Sequence, residues 1–144
     1  MKIAVYPGSF NPFHDGHVDI LRKALKLFDK VIVACGINPA KDYYCGPLDE
    51  LNTYFAKEIK CGKVEVQKFN GLLVDYVNEC EADAIVRGLR NGNDLLYEQS
   101  QQYWNEDLGL TIPIVYFVCD RKLSHISSSA IRAIDKAKDV SSRR

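Results

Sequence analysis

Two histidines three residues apart, His14 and His17, stand in the stretch Tyr6-Pro7-Gly8-Ser9-Phe10-Asn11-Pro12-Phe13-His14-Asp15-Gly16-His17, directly after a strand-like run. Gly8 permits a tight turn and a close backbone approach. Gly16 and His17 fall where a helix should begin. The free N–H groups and the dipole of a helix N-terminus attract an anion there. Residues three apart share a helix face, so both imidazoles can address one phosphate chain. A bare His-x-x-His reads as a turn with two surface histidines. Pro-Gly-Ser-Phe ahead of it, at a strand end, points to phosphate binding instead. The positive end of a helix also disfavours protonation of His17.

Three further segments carry the same kind of chemistry. Arg87-Gly88-Leu89-Arg90 follows a strand-like run, and Glu98 lies on the next helical stretch. Two guanidinium groups with a glycine between them suit a polyphosphate held bidentately. Glu98 would hold an arginine in place or meet a ribose hydroxyl; surface ion pairing is the plainer reading of this segment taken alone. Ile126-Ser127-Ser128-Ser129, followed by Arg132, opens the last helical stretch. Capping accounts for one serine at a helix start and poorly for three in a row, whereas three leave room for a phosphate to reach the free N–H groups. Lys41, after Asn38-Pro39, is by itself an exposed lysine.

These segments need elements to position them, and the apolar pattern supplies an alternation. Lys2–Tyr6, Lys30–Cys35, Lys63–Phe69, Ala82–Arg87 and Ile112–Cys119 read as strands rich in Val, Ile, Tyr and Phe. Between them Val18, Leu21, Leu25 and Phe28 fall on one helical face. So do Leu48, Leu51, Phe55 and Ile59, and then Leu73, Tyr76, Val77 and Cys80. A longer, more polar helix is predicted over 93–108 and a last one over 127–137. The order β-α-β-α-β-α-β-α-β-α predicts an α/β, single-domain, Rossmann-like fold over 1–144, with a five-stranded parallel sheet and helices on both faces. Ligands bind outside the carboxyl ends of such strands, near the switch in strand order. The segments singled out above follow strands, as that requires.

Composition narrows the class of function. The chain has 144 residues, 47% of them hydrophobic, enough for one core, and Lys+Arg and Asp+Glu are both 19. That balance argues against a protein that coats nucleic acid or an anionic membrane. The five cysteines are odd in number and widely spaced, without a Cys-x-x-Cys pair, so neither a disulfide framework nor a zinc site is expected. Cys35 and Cys119 end apolar runs and read as small core residues. There is no signal peptide pattern and no apolar run near the ~20 residues of a membrane span. A cytoplasmic protein is the expectation.

Together these residues resemble the nucleotidyltransferase superfamily with a Thr/His-x-Gly-His signature, here His14-Asp15-Gly16-His17. Within it the chain resembles the bacterial phosphopantetheine adenylyltransferases from about Lys2 to Val140. The discriminating stretch is Val86-Arg87-Gly88-Leu89-Arg90-Asn91 through Tyr97-Glu98. The resemblance implies transfer of AMP from ATP to 4′-phosphopantetheine, with magnesium bridging the phosphates and no dedicated metal ligands. It implies catalytic roles for His17, Lys41 and Arg90. The nucleotide would meet Ser9, Phe10, His14, His17, Gly88, Leu89, Arg90 and Glu98, and then Leu123, Ser124, His125, Ile126, Ser127, Ser128 and Ser129. The acceptor would meet Ser9, Lys41, Leu73 and Arg87, and a homo-oligomer is expected. Where relatives begin a helix with a Thr-Leu-Glu-Glu-Arg-like run, this chain has Asp42-Tyr43-Tyr44-Cys45-Gly46-Pro47-Leu48-Asp49-Glu50, without an arginine. Gly8-Ser9-Phe10-Asn11-Pro12 and Ile126–Arg132 would also suit a nicotinamide-mononucleotide adenylyltransferase, and Arg87–Arg90 with Tyr97-Glu98 decides against it. A cytidylyltransferase is set aside for the same reason. A nucleotide-binding module without catalysis is the alternative from another class, opposed by the presence of His17, Lys41 and Arg90.

Overall fold

Valine and isoleucine dominate the strand segments because their branched side chains suit a pleated surface covered on both sides. A computed structural model of the chain describes residues 1–37, 46–123 and 127–142. Its elements are β1 (Ile3–Gly8), α1 (Asp15–Leu27), β2 (Lys30–Ile37), α2 (Asp49–Tyr54), α3 (Ala56–Cys61), β3 (Val64–Asn70), α4 (Leu73–Glu79), β4 (Ala84–Leu89), α5 (Gly92–Asp107), β5 (Ile114–Val118), a 3₁₀ turn (Arg121–Leu123) and α6 (Ser128–Ser142). The five strands form one sheet in the order β3-β2-β1-β4-β5, with every pairing parallel. The chain winds outward from β1 to β3, then returns to the other side of β1 with β4. The switch in strand order therefore lies between β1 and β4, and their carboxyl ends open a crevice there.

Side chains alternate between two cores, as the two-residue period of a strand dictates. Ala4 and Tyr6 join Val31, Val33 and Cys35 beneath α1 and α2, which contribute Val18, Leu21, Ala24 and Leu51, with Phe55 following α2. Val5, Ile32, Ala34 and Ile85 face the opposite way and are covered by Val74, Tyr76 and Val77 of α4. Helices thus lie on both faces, as the sequence pattern predicts.

Three details differ from the pattern. The helical stripe Leu48, Leu51, Phe55, Ile59 is kept on the core, but the helix breaks at Phe55 into α2 and α3. The last helix runs on to Ser142. Cys61, Cys80 and Cys119 carry free thiols, whereas Cys35 is disulfide-bonded, a bond that the wide cysteine spacing gave no reason to expect. Among the described residues no helix is long and apolar enough to cross a membrane.

Candidate active site

The crevice between β1 and β4 is built first by the loop from β1 to α1. Phe10 takes a positive φ of 47° and is buried. Its ring folds back over the end of β1, so that a Cβ at Gly8 would stand 3.0 Å from the ring. A side chain at position 8 would therefore need the Phe10 ring to give by a few tenths of an ångström. Phe10 meets Tyr6 edge-on at 5.1 Å and His17 edge-on at 4.9 Å, and Phe13 packs beside both Phe10 and His17. This aromatic floor presses one side of the His17 ring into the protein.

The two histidines then cap α1 together. His14 is the N-cap, and its Nδ1 accepts from the amide of Gly16 at 3.1 Å. Nδ1 of His17 accepts from the amide of His14, also at 3.1 Å. Two orphan donors of the helix N-terminus are thereby satisfied, in the reciprocal manner of a capping box. The rings stack with centroids 3.7 Å apart, and Gly16 has no room for a Cβ, which would lie 2.9 Å from Cε1 of His14. A nitrogen that accepts from an amide carries no proton, so in both neutral rings the proton is on Nε2. Burial, aided by the Arg90 charge, lowers the pKa of His14 from 6.5 to about 4. Burial, followed by His14, Arg87 and Arg90, holds His17 well below 6.5. Each is a neutral imidazole at neutral pH, with one N–H to offer.

The opposite wall comes from the end of β4. Arg87 places Nε and Nη2 on the two oxygens of Glu98, at 2.9 and 2.6 Å, and Nη1 on the carbonyl of Pro7 at 2.8 Å. Glu98 is the buried residue of α5, a helix otherwise turned outward. Burial works against the Arg87 charge, and the hydrogen bonds and charge of Glu98 more than offset it. The guanidinium fork is thus fixed against both α5 and β1, and two of its five N–H donors stay uncommitted to these partners. Arg90 is more exposed. Asp94 accepts from its amide at 2.9 Å and from Nε at 3.2 Å, while the Asn91 side chain caps α5 by accepting from the amide of Asp94.

The third wall is the start of α6. Ser127 Oγ accepts from the amide of Ala130 at 3.1 Å and so caps the helix. Arg132 ties α6 to the first loop through Nη1 on the carbonyl of Asn11 at 2.5 Å, and Nη2 donates to Ser129 Oγ at 3.3 Å. The walls enclose a cavity of about 280 Å³ lined by Tyr6, Pro7, Gly8, Ser9, Phe10, His14, Gly16, His17, Ile20, Arg87, Gly88, Leu89, Arg90, Cys119, Leu123 and Ser127. It offers two guanidinium groups, two imidazoles and the N-terminus of α1, with no acidic side chain among the described residues that line it. Such a surface suits a polyanion.

The Cytidylyltransferase-like family model matches residues 5–134. A Clostridium perfringens (strain SM101) protein named phosphopantetheine adenylyltransferase is 40% identical over 134 residues, 93% of this chain and 82% of that protein. One of the same name from Cytophaga hutchinsonii is 42% identical over 94% of this chain and 90% of that protein. This chain belongs to the phosphopantetheine adenylyltransferase family, within the cytidylyltransferase-like proteins. Its fold is shared with the crystal structure of a putative nicotinate-nucleotide adenylyltransferase from Vibrio parahaemolyticus, at a TM-score of 0.60 and 23% identity over 92% of this chain and 86% of that one.

Most of the residues that the resemblance to phosphopantetheine adenylyltransferases singles out meet in this one cavity. Ser9, Phe10, His14, His17, Arg87, Gly88, Leu89, Arg90, Leu123 and Ser127 all line it. Glu98 stands behind Arg87, which realises the first of the two roles open to it from the sequence. Ser129 is exposed on the first turn of α6, and Ser128 is the first residue of that helix. Leu73 is not in the lining; it opens α4 beyond β3 and packs on the second core. Lys41, Ser124, His125 and Ile126 lie outside the described residues.

Two contacts have no counterpart among the sequence-predicted site residues, those of the Pro7 carbonyl and of Asp94. Pro7 acts through its backbone carbonyl and leaves no side-chain signal. Asp94 did leave one, the four-residue spacing from Arg90 that lets opposite charges meet.

Proposed function

We propose that this chain moves the adenylyl group of ATP onto the phosphate of 4′-phosphopantetheine, giving dephospho-coenzyme A and pyrophosphate. An oxygen of the acceptor phosphate forms a bond to the α-phosphorus of ATP. The bond from that phosphorus to the bridging oxygen of the β-phosphate breaks, and pyrophosphate leaves with the electron pair. No covalent intermediate with the protein is needed, so catalysis rests on positioning and on stabilising charge. The observation that carries this reading is His17. Its neutral ring is held by the amide of His14, so that Nε2 is left as its one donor, in a cavity that also holds Arg87 and Arg90.

On this reading the residues take the following roles. His17 donates to an oxygen of the reacting phosphate as charge redistributes in the transition state. Arg90, at the exposed mouth, takes the outer phosphates. Arg87, fixed by Glu98 and Pro7, offers its remaining N–H groups on the acceptor side, where Lys41 would join it. The N-termini of α1 and α6 contribute amides. Magnesium enters as part of the substrate, MgATP. The described residues contain no group of three or more His, Cys, Asp and Glu able to hold a metal, and a phosphate-borne ion needs none. The reaction would take place in the cytoplasm. The same reading includes a homo-oligomer, supported by Leu96 and Trp104 on α5 and Val118 on β5, which are 67%, 65% and 65% exposed.

The test is pyrophosphate release from MgATP with 4′-phosphopantetheine, nicotinamide mononucleotide and glycerol 3-phosphate in parallel. Release with the first alone is the expected outcome. A preference for either of the others would discard the acceptor and keep the nucleotidyl transfer.

A further inference from the structure

On the far side of α1 from the histidines, Lys23 closes a ring of hydrogen bonds. Its Nζ donates to Asp19 Oδ2 at 2.9 Å, to the carbonyl of Val118 at 2.7 Å and to Asp120 Oδ1 at 3.2 Å. The amide of Asp120 donates to the same Asp19 oxygen at 3.0 Å. Asp19 and Lys23 lie one turn apart on α1, with side chains 14% and 28% exposed. Val118 and Asp120 lie where the chain leaves β5. A lysine suits this place because its three N–H groups can serve three oxygens that do not share a plane. The Asp19 carboxyl is held below its usual range and the Lys23 ammonium above, in each case by these hydrogen bonds and charges against the pull of burial.

The chain segment fixed by this ring is a wall of the cavity. Cys119, between the two latched positions, is buried in the lining, and its amide donates to the carbonyl of Leu89 at 2.9 Å. Asp120 also starts the 3₁₀ turn, its carbonyl accepting from the amide of Leu123 at 2.8 Å. Leu123 and Ser127 then face the cavity. On the other side, Asp19 is two residues from His17 on the same helix.

We propose that Asp19, Lys23 and Asp120 are positioning residues, which latch the end of β5 to α1 and so set the width of the nucleotide cavity between His17 and Leu123. None of the three lines that cavity, so they act on the nucleotide only through the wall they hold. Partly exposed ion pairs contribute little to global stability. Their consequence here is the placement of Cys119 and Leu123. The proposal rests on the reading of the cavity as a nucleotide site.

The experiment uses the full chain with the magnesium complex of the α,β-methylene analogue of ATP, titrated by calorimetry, and thermal unfolding in parallel. Lys23→Met keeps the stem and removes all three donors. It should weaken analogue binding roughly tenfold, within the scale on which small displacements of site groups act. The unfolding midpoint should stay close to that of the unaltered chain. Lys23→Arg, which can still serve several oxygens, should recover most of the affinity. In steady state, KM for ATP should rise in Lys23→Met while kcat stays within about twofold, because His17 is itself untouched. Asp120→Asn, which keeps shape and amide, should lie between the two and serves as the variant if Lys23→Met does not fold. Unchanged binding in folded variants would overturn the latch, as would a loss that merely tracks a fall in unfolding midpoint. If the unaltered chain does not bind the analogue, the nucleotide reading fails first, and the latch with it.

Discussion

The amide of His14 lies 3.1 Å from Nδ1 of His17, and this contact decides what His17 can offer a substrate. With Nδ1 accepting, the ring can present only Nε2–H. With its charge suppressed by burial and by neighbouring cations, it presents that donor unchanged across the neutral range. The helix N-terminus thus does two things at once, spending one amide on orienting the imidazole and leaving others for an anion.

His17→Ala should therefore cut turnover by roughly 10²–10³, the scale for losing one preorganised donor to a transition state. ATP binding should be nearly unchanged, because Arg90 and two helix N-termini share the ground-state anion. Steady-state kinetics with calorimetry of ATP binding separates these outcomes. Normal turnover with lost affinity would make His17 a binding residue and nothing more.

Acid should destabilise the protein through the same pair. The folded pKa of His14 is about 4 against 6.5 when unfolded, and that of His17 is also lowered. Between those values the unfolded chain binds more protons, so stability is full above about pH 6.5 and falls as pH drops toward 4. Each histidine contributes a slope of up to ~1.4 kcal/mol per pH unit. Glu50 works in the opposite sense, its pKa raised by burial and by Asp15, so the comparison must be against a variant. His14→Asn keeps a good N-cap and removes one titration. Denaturant unfolding at pH 7, 6 and 5 should show a shallower decline for it than for the unaltered chain.

How much of this was legible in the sequence depended on the range of the interaction. Val31 to Cys35 announced a buried strand because each residue reports its own environment. A helix start near Gly16 and His17 was legible, whereas the use of both imidazoles as its cap was not, because histidine is not among the preferred cap residues. The break at Phe55 left no such mark, since the apolar stripe runs through it without interruption. Glu98 was recognisable as a site residue, yet its partner depended on how α5 crosses the end of β4. The contact of Arg87 with the Pro7 carbonyl joins residues 80 positions apart, and nothing in either residue type foretells it. Leu73 is placed at the acceptor by resemblance alone, since neither its type nor its spacing marks it; in the fold it opens α4 and packs on the second core, outside the lining of the cavity.

Self-association should be visible in solution. Light scattering at micromolar concentration should give a mass above the 16.3 kDa of one chain. Trp104→Glu and Leu96→Glu, on the outward side of α5, should shift the mass toward the monomer without unfolding it. A monomeric mass for the unaltered chain would refute the oligomer.

Arg87→Lys should be impaired in spite of keeping its charge. The Arg87 fork spans both oxygens of Glu98 and the carbonyl of Pro7 at once, from one rigid plane. A lysine reaches one of these sites as a point charge and leaves the others short of a donor. Glu98, 11% exposed, would then hold a carboxylate with half its hydrogen bonds missing. Removing one partner of a fully buried pair costs about 3–5 kcal/mol. Arg87 is 29% exposed, so solvent screens part of this and roughly 1–3 kcal/mol is the expected loss. The functional effect should fall on the acceptor. Its phosphate carries about two negative charges and must approach an already anionic triphosphate, so a cation fixed on its side offsets the repulsion. Arg87→Lys and Arg87→Ala should weaken 4′-phosphopantetheine binding more than ATP binding, and Lys41→Ala should do the same. Glu98→Gln should behave as a milder form of Arg87→Lys, since the fork keeps one good acceptor and loses its orientation. Separate calorimetric titrations with ATP and with phosphopantetheine check this. Loss of ATP binding with normal acceptor binding in the Arg87 and Lys41 variants would mean that the two halves of the site are the other way round.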